Sequence, residues 1–379
     1  MEYYEKCLEI AKERGYKHEE TRAYLGLEEL YKLNNHIQNA MEYFKGGLEI
    51  AKERGYINEE TRAYLELGKA YQSINQIQKG MEYYEKALEI AKKRGYEHEE
   101  TRAYLELGET YILDNQIQKA MEYFEKALEI DKARGNKQKK TRAYLELGEA
   151  YKLDNKIQKA MEYYEKALKI AKGRGYKQLE IRAYLGLGDA YRLNNQIRKA
   201  MEYYEKALEI AIQQEYKREE TSAYLGLGDA YGLNNQIGNA LQYYEKALKI
   251  AKKQGYKLQE TQAYLGLGDA YRLNNQIGNA LQYYEKALEI AKEQGYTLQE
   301  TQAYLGLGEA YKLNNQIENS MEYYEKALEI AKERGYKHLE NCTRNVIEKL
   351  SKITDSLSVE TTHEHTTSTV QKASSLPGK

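Results

Sequence analysis

TRAYLELGEAYKLDNKIQKAMEYYEKALKIAKGRGYKQLE, residues 141–180, is one full turn of a pattern that organises nearly the whole chain. Its second half, in the form MEYYEKCLEI at residue 1, recurs in kind at 41, 81, 121, 161, 201, 241, 281 and 321. Its first half appears eight times between Thr21 and Tyr311, and at Asn341 it degenerates to NCTRNVIEKL. Both halves space their apolar residues helically. Tyr144, Leu147 and Tyr151 share one face, as do Tyr164, Ala167, Leu168 and Ala171. The unit is therefore two amphipathic helices joined by a turn such as LDNKIQ, residues 153–158. One such pair cannot bury its own apolar faces, so successive pairs must stack into a continuous core.

Local signals mark the helix ends. Glu and Thr stand before the first helix, where a carboxylate and a hydroxyl suit unpaired backbone N–H groups. The second helix closes on Lys-x-Arg-Gly-Tyr, as at Lys52 to Tyr56; the cations complement the helix dipole and the glycine suits a left-handed cap. Asn155 and its equivalents are expected to take the same conformation at the inner turn. The mid-helix glycines (Gly68, Gly108, Gly148, Gly188, Gly228, Gly268, Gly308) imply close approach of the second helix, and Glu28 predicts looser packing in the first pair.

Composition narrows the function. The chain has 379 residues, one proline, no tryptophan, 40 tyrosines and a net charge of −1 with 31% charged residues. A nucleic-acid binder needs a basic stripe, which this balance does not supply. No apolar run spans a bilayer, and MEYYEKCLEI does not read as a signal peptide; membrane insertion is not expected and a cytoplasmic location is. Cys7 and Cys342 are far apart and form no disulfide or metal spacing. The tyrosines fill five repeat slots, which reads as packing with a polar tip at the surface rather than a site. No serine or cysteine neighbours a histidine base, no glycine loop cradles phosphate, and His363 and His365 lack further ligands. No catalysis, cofactor or metal is expected.

Tyr144, Leu147, Gly148, Tyr151, Ala160, Tyr164 and Ala167 sit at the signature spacing of the tetratricopeptide repeat, which this unit resembles. The usual proline near the end of the second helix is replaced by Lys172 and the linker is longer. The 40-residue unit is similar to the subgroup in Pins-type G-protein-signalling modulators and to large tandem-array tetratricopeptide proteins of unassigned role. The resemblance implies an all-α, right-handed superhelical solenoid whose first helices line a concave groove. Domain boundaries follow: an unpaired second-type helix over 1–20, eight units over 21–340, a capping helix over 341–355, and a disordered Ser/Thr-rich tail over 356–379 that lacks the Asp-Gln-Arg core of Pins-type G-protein-binding motifs.

The groove strip should run through the slots of residues 142, 146 and 149, with 145 beside it. The first slot holds Arg22, Arg62, Arg102, Arg142 and Arg182, then Ser222, Gln262 and Gln302. The second holds Glu66, Glu106 and Glu146, with glycine at 26, 186, 226, 266 and 306. The third is acidic at Glu29, Glu109, Glu149, Asp189, Asp229, Asp269 and Glu309, with Lys69 the exception. Pins-type grooves commonly carry asparagines at the last two slots, so only the arginine slot matches. Leucine at the 145 slot, including Leu105, Leu145 and Leu185, occupies the lysine position of the chaperone-binding clamp; it either packs between pairs or forms an apolar stripe for a partner. The sequence thus points to a signalling adaptor or scaffold holding a peptide with both signs of charge, its acidic part on the arginines and its basic part on the Gly/Asp half. Two alternatives are a self-associating solenoid, through the apolar face of Tyr4, Leu8 and Ala11 at the N-terminal end, and a fragment of a longer protein begun at an internal methionine.

Overall fold

The computed structural model describes residues 2–24, 37–74 and 76–352. Glu28 and the tail over 356–379 lie outside the described residues. Within them every regular element is an α-helix: α1 (Glu2–Arg14), α2 (17–24), α3 (Ile37–Arg54), α4 (Ile57–Ser73), α5 (Ile77–Arg94), α6 (Glu97–Leu113), α7 (Ile117–Arg134), α8 (Lys137–Leu153), α9 (Ile157–Arg174), α10 (Lys177–Leu193), α11 (Ile197–Gln213), α12 (Lys217–Leu233), α13 (Ile237–Gln254), α14 (Lys257–Leu273), α15 (Ile277–Gln294), α16 (Thr297–Leu313), α17 (Ile317–Glu333) and α18 (337–352). Even-numbered helices are the first of each pair. The chain is an all-α repeat solenoid that divides into two compact units, Met1–Ile210 and Ala211–Lys379.

The turns follow from single residues. Gly95 closes α5 at φ 67, with its N–H on the Lys92 carbonyl at 3.2 Å and that of Tyr96 on Ala91 at 2.8 Å. This double bond is the Schellman arrangement, and the same pattern closes α8: Asn155, at φ 57, donates to Lys152 and Lys156 donates to Tyr151. The starts differ from the sequence expectation. First helices begin four residues before the threonine, as α8 does at Lys137, and the Thr141 hydroxyl donates back to the Lys137 carbonyl at 2.7 Å from inside the helix. The N-cap is a tyrosine with no side-chain cap in α4, α6, α10, α12, α14 and α16, whereas Asn136 caps α8 through its side chain, to the Lys139 N–H.

Packing repeats with the same period. Ala143, Leu147, Ala160 and Ala167 are fully buried, as are their counterparts in neighbouring pairs. A Cβ on Gly148 would stand 2.6 Å from the Tyr164 ring, and one on Gly186 would stand 2.4 Å from the same ring. Tyr164 is thus held between a glycine of its own pair and one of the next. Tyr163 stacks on Tyr151 at 5.3 Å and meets Tyr144 obliquely at 5.9 Å, a trio repeated in each complete pair. In each unit successive first helices also pack on one another: α4 on α6, α6 on α8 and α8 on α10, then α12 on α14 and α14 on α16. Within each unit that packing brings their polar slots into one strip.

Candidate functional site

The strip on the first helices is built from slots that change between pairs while their neighbours do not. Slots 143, 144, 145 and 147 are Ala, Tyr, Leu and Leu in all eight pairs, whereas slots 142, 146 and 149 vary. Constancy belongs to the packing face, and the leucines show it: Leu105 and Leu145 are 2% and 1% exposed, and Leu185 is half-buried. Leu105 and Leu145 belong to the buried core.

The arginines of the middle pairs are engaged within the chain. Arg102 pairs with Glu66, and Arg182 meets Glu146 at 2.9 Å; in both cases the carboxylate lies 36 residues earlier, on the preceding first helix. Arg142 is 3.6 Å from Glu106, 2.6 Å from Glu109 and 4.0 Å from Glu146. Lys69, the exception in the acidic slot, meets Glu106 at 3.0 Å. Arg22 and Arg62 are exposed. The sequence carries this pairing: arginine follows Glu66, Glu106 and Glu146 at a spacing of 36, whereas Ser222, Gln262 and Gln302 follow Gly186, Gly226 and Gly266. Arg62, which follows Gly26, breaks the rule. Reading each slot separately misses it.

Three carboxylates around one guanidinium have an electrostatic consequence. Burial, reinforced by the charges of Glu146 and Glu106 and opposed by Arg142, pushes Glu109 up to about 7. The next carboxylates in the stack have partners that Glu109 lacks, because the second helix changes. Phe124 offers Glu109 no hydroxyl, but Tyr164 donates to Glu149 at 2.7 Å and Tyr204 to Asp189 at 2.6 Å. Lys152 bridges Glu149 and Asp189 at 2.8 and 2.9 Å. Burial works against the Asp189 carboxylate, yet Lys152, Arg192 and the Tyr204 hydroxyl hold it below the ordinary aspartate range. These tyrosines are fully buried with their hydroxyls turned onto the strip, so the expected polar tip at the surface is not found at this slot.

The Ala211–Lys379 unit keeps the tyrosine–carboxylate bonds and has neither arginine at slot 142 nor glutamate at slot 146. Tyr244 donates to Asp229 and Tyr284 to Asp269, each at 2.7 Å, and Tyr324 donates to Glu309 at 2.5 Å. Arg272 meets Asp269 at 3.1 Å. Gln262 and Gln302 are exposed, and Gly266 and Gly306 leave a floor of backbone against the Tyr244 and Tyr284 rings. Among the described residues no group of three or more His, Cys, Asp or Glu could hold a metal ion, and no helix is long and apolar enough to cross a membrane.

Comparison with known proteins agrees with this architecture. No curated protein matches the sequence. Among solved structures, the apo quorum sensor NprR from B. thuringiensis superposes with a TM-score of 0.63 at 16% identity, covering 85% of this chain and 91% of that one. Apo RapI gives 0.59 at 18% identity over 73% and 99%, and a Rap protein complexed with Competence and Sporulation Factor gives 0.57 at 15% over 88% and 98%. These likenesses concern the fold. The tetratricopeptide repeat family matches residues 59–133, 140–213, 179–253, 219–293 and 259–333, which together take in well over half of the sequence. The chain belongs to the tetratricopeptide repeat family.

Proposed function

We propose that the chain is a non-catalytic, cytoplasmic interaction scaffold that holds a peptide segment of a partner protein along its first-helix strip. The observation that supports this most is where the repeats diverge. Copies that keep slots 143, 144, 145 and 147 constant change at slots 142, 146 and 149, on the polar strip that successive first helices share within each unit. A fold relative that forms a complex with Competence and Sporulation Factor is consistent with a binding role. The likeness to Pins-type modulators extends, in this reading, to the arginine slot only.

The pairing refines which residues meet the ligand. Arg102, Arg142 and Arg182 already face carboxylates, so an acidic ligand group there competes with Glu66, Glu109 and Glu146. Such pairs set orientation and exclude mismatched charge more than they add affinity. Contact by the ligand backbone falls to Gln262 and Gln302, whose amides both donate and accept. The test is site-specific photo-crosslinking in cells, with the crosslinker placed at Gln262, at Gln302 or at Lys253, which is exposed on a second helix. The expected result is a discrete adduct from the two glutamine positions and none from Lys253. Equal adducts at all three, or adducts from Lys253 alone, refute strip binding.

A further inference from the structure

One edge of the Ala211–Lys379 unit, where the first helix of each pair turns into the second, departs from the rest of the surface. Leu233, Leu273 and Leu313, the last residues of α12, α14 and α16, are 62%, 55% and 50% exposed. Leu113, Leu153 and Leu193 at the same slot of the other unit are exposed too, and it is the residues around them that differ. Charge is missing after the first two of these leucines, Leu233 and Leu273, whereas Lys312, Glu318 and Glu322 flank Leu313. Residues 230–244 read AYGLNNQIGNALQYY and residues 273–284 read LNNQIGNALQYY, in a chain that is otherwise 31% charged.

The other unit shows what the same slots ordinarily hold. There Asp114 and Asp154 occupy the turn, and Glu122, Glu162 and Glu202 follow. Lys79, Lys119, Lys159 and Lys199 lie over the rings of Tyr71, Tyr111, Tyr151 and Tyr191 at 5.3–5.6 Å. At the lysine slot the second unit has Asn239, Asn279 and Asn319 instead. Their amides donate to the side chains of Gln236, Gln276 and Gln316 at 2.9, 2.9 and 3.0 Å, and Tyr231, Tyr271 and Tyr311 lose the lysine cover. Two glycines complete the change. Gly238 and Gly278 lie in the first turn of α13 and α15, and a Cβ on either would meet nothing within 4 Å. Helical glycine costs stability, and no contact inside the chain accounts for these two. They lower the relief of the edge.

We propose that this edge is an interface between two copies of the chain. A two-fold contact sets a patch against itself, so any charge on it tends to meet its like; removing the charge is what self-association requires. Asparagine and glutamine amides donate and accept at once, and so match their own copies without mismatch. Leucine rungs at a fixed repeat pitch find rungs at the same pitch only on another array of this kind. Depletion of charge with apolar and amide groups retained is also the composition of an interface centre.

The test is sedimentation equilibrium of the full chain over two decades of concentration, with the variant N239K/N279K/N319K beside it. That variant installs the residue which four other pairs carry at this slot, and circular dichroism checks that it folds. The expected result is a mass rising from one chain to two for the unaltered protein, and a dimer constant weakened by at least about tenfold in the variant. L233Q/L273Q/L313Q should weaken it likewise and stands in should the lysine variant fail to fold. A mass of one chain throughout, or a dimer that folded variants leave unchanged, overturns the proposal.

Discussion

Replacing Asp131 by alanine should make the protein more stable at neutral pH. Eight of the nine copies of this slot are alanine, at 0–2% exposure, and Asp131 is equally buried at 1%. It lies in the last turn of α7, where a carboxylate opposes the helix dipole. One of its oxygens, Oδ2, meets no hydrogen-bond donor. Burial raises its pKa from 3.8 to about 6, against the pull of Lys139 and Arg134. At about 1.36 kcal/mol per pH unit, that displacement corresponds to about 3 kcal/mol. The sign follows from linkage: stability is present in full below about 3.8, falls as pH rises from there to about 6, and stays lowered above. The variant loses a counter-charge for Lys139, whose own ammonium is disfavoured by burial, so the net gain at pH 7 should be about 1–3 kcal/mol. Urea unfolding of both proteins across this range measures it, and the difference between them should narrow on acidification as Asp131 is protonated. D131N, which keeps the size and drops the charge, should fall between. A variant less stable at pH 7, or a difference that does not change with pH, would show that Asp131 is held by its neighbours and refute the reasoning.

Three further outcomes test the packing and the strip. Gly148→Ala should cost about 1–3 kcal/mol because the new methyl meets the Tyr164 ring at 2.6 Å, whereas Gly173→Ala, with nothing within 4 Å, should gain about 1 kcal/mol; thermal melts separate the two. Glu215 takes φ 57 where the other eight copies of the slot have glycine, so Glu215→Gly should stabilise by about 1 kcal/mol in urea unfolding. A double-mutant cycle on Glu146→Gln and Arg182→Gln should give a coupling of about 0.5–1 kcal/mol that weakens in high salt; zero coupling would mean the 2.9 Å pair does not persist in solution.

Most of the architecture can be read from the chain because each rung repeats its own evidence. A glycine at slot 148 facing an aromatic at slot 164, a glycine after Lys-x-Arg and an asparagine at the inner turn each have one conformational explanation, and all three hold. Helix starts were harder to read. Thr141 looks like a cap, but a hydroxyl that can reach the carbonyl four residues back is satisfied inside the helix, and the chain enters each first helix through a tyrosine that leaves no side-chain signature. The strip was half legible. Its slots were identified by helical spacing, yet the partner of each arginine lies on the previous rung, at a distance that comparison within one unit cannot register.

That spacing also bears on how the array diversified. An arginine introduced at slot 142 without its glutamate would sit beside a buried tyrosine ring and a bare backbone floor, and a glutamate without its arginine would be a carboxylate almost out of water, as Glu106 and Glu146 are at 3% and 5% exposure. Either half alone costs more than the pair recovers, because an uncompensated charge near the core carries its full desolvation penalty. The two slots therefore change together in all rungs but one, and the rungs fall into two main kinds, Glu then Arg or Gly then Ser or Gln, with Arg62 after Gly26 the exception. Between them the floor of the strip differs by two side chains per rung while the tyrosine behind it keeps its place between helices, with its hydroxyl turned to whatever acid slot 149 provides. An array built this way can alter the side chains of its strip, rung by rung, without disturbing the core that stacks the rungs.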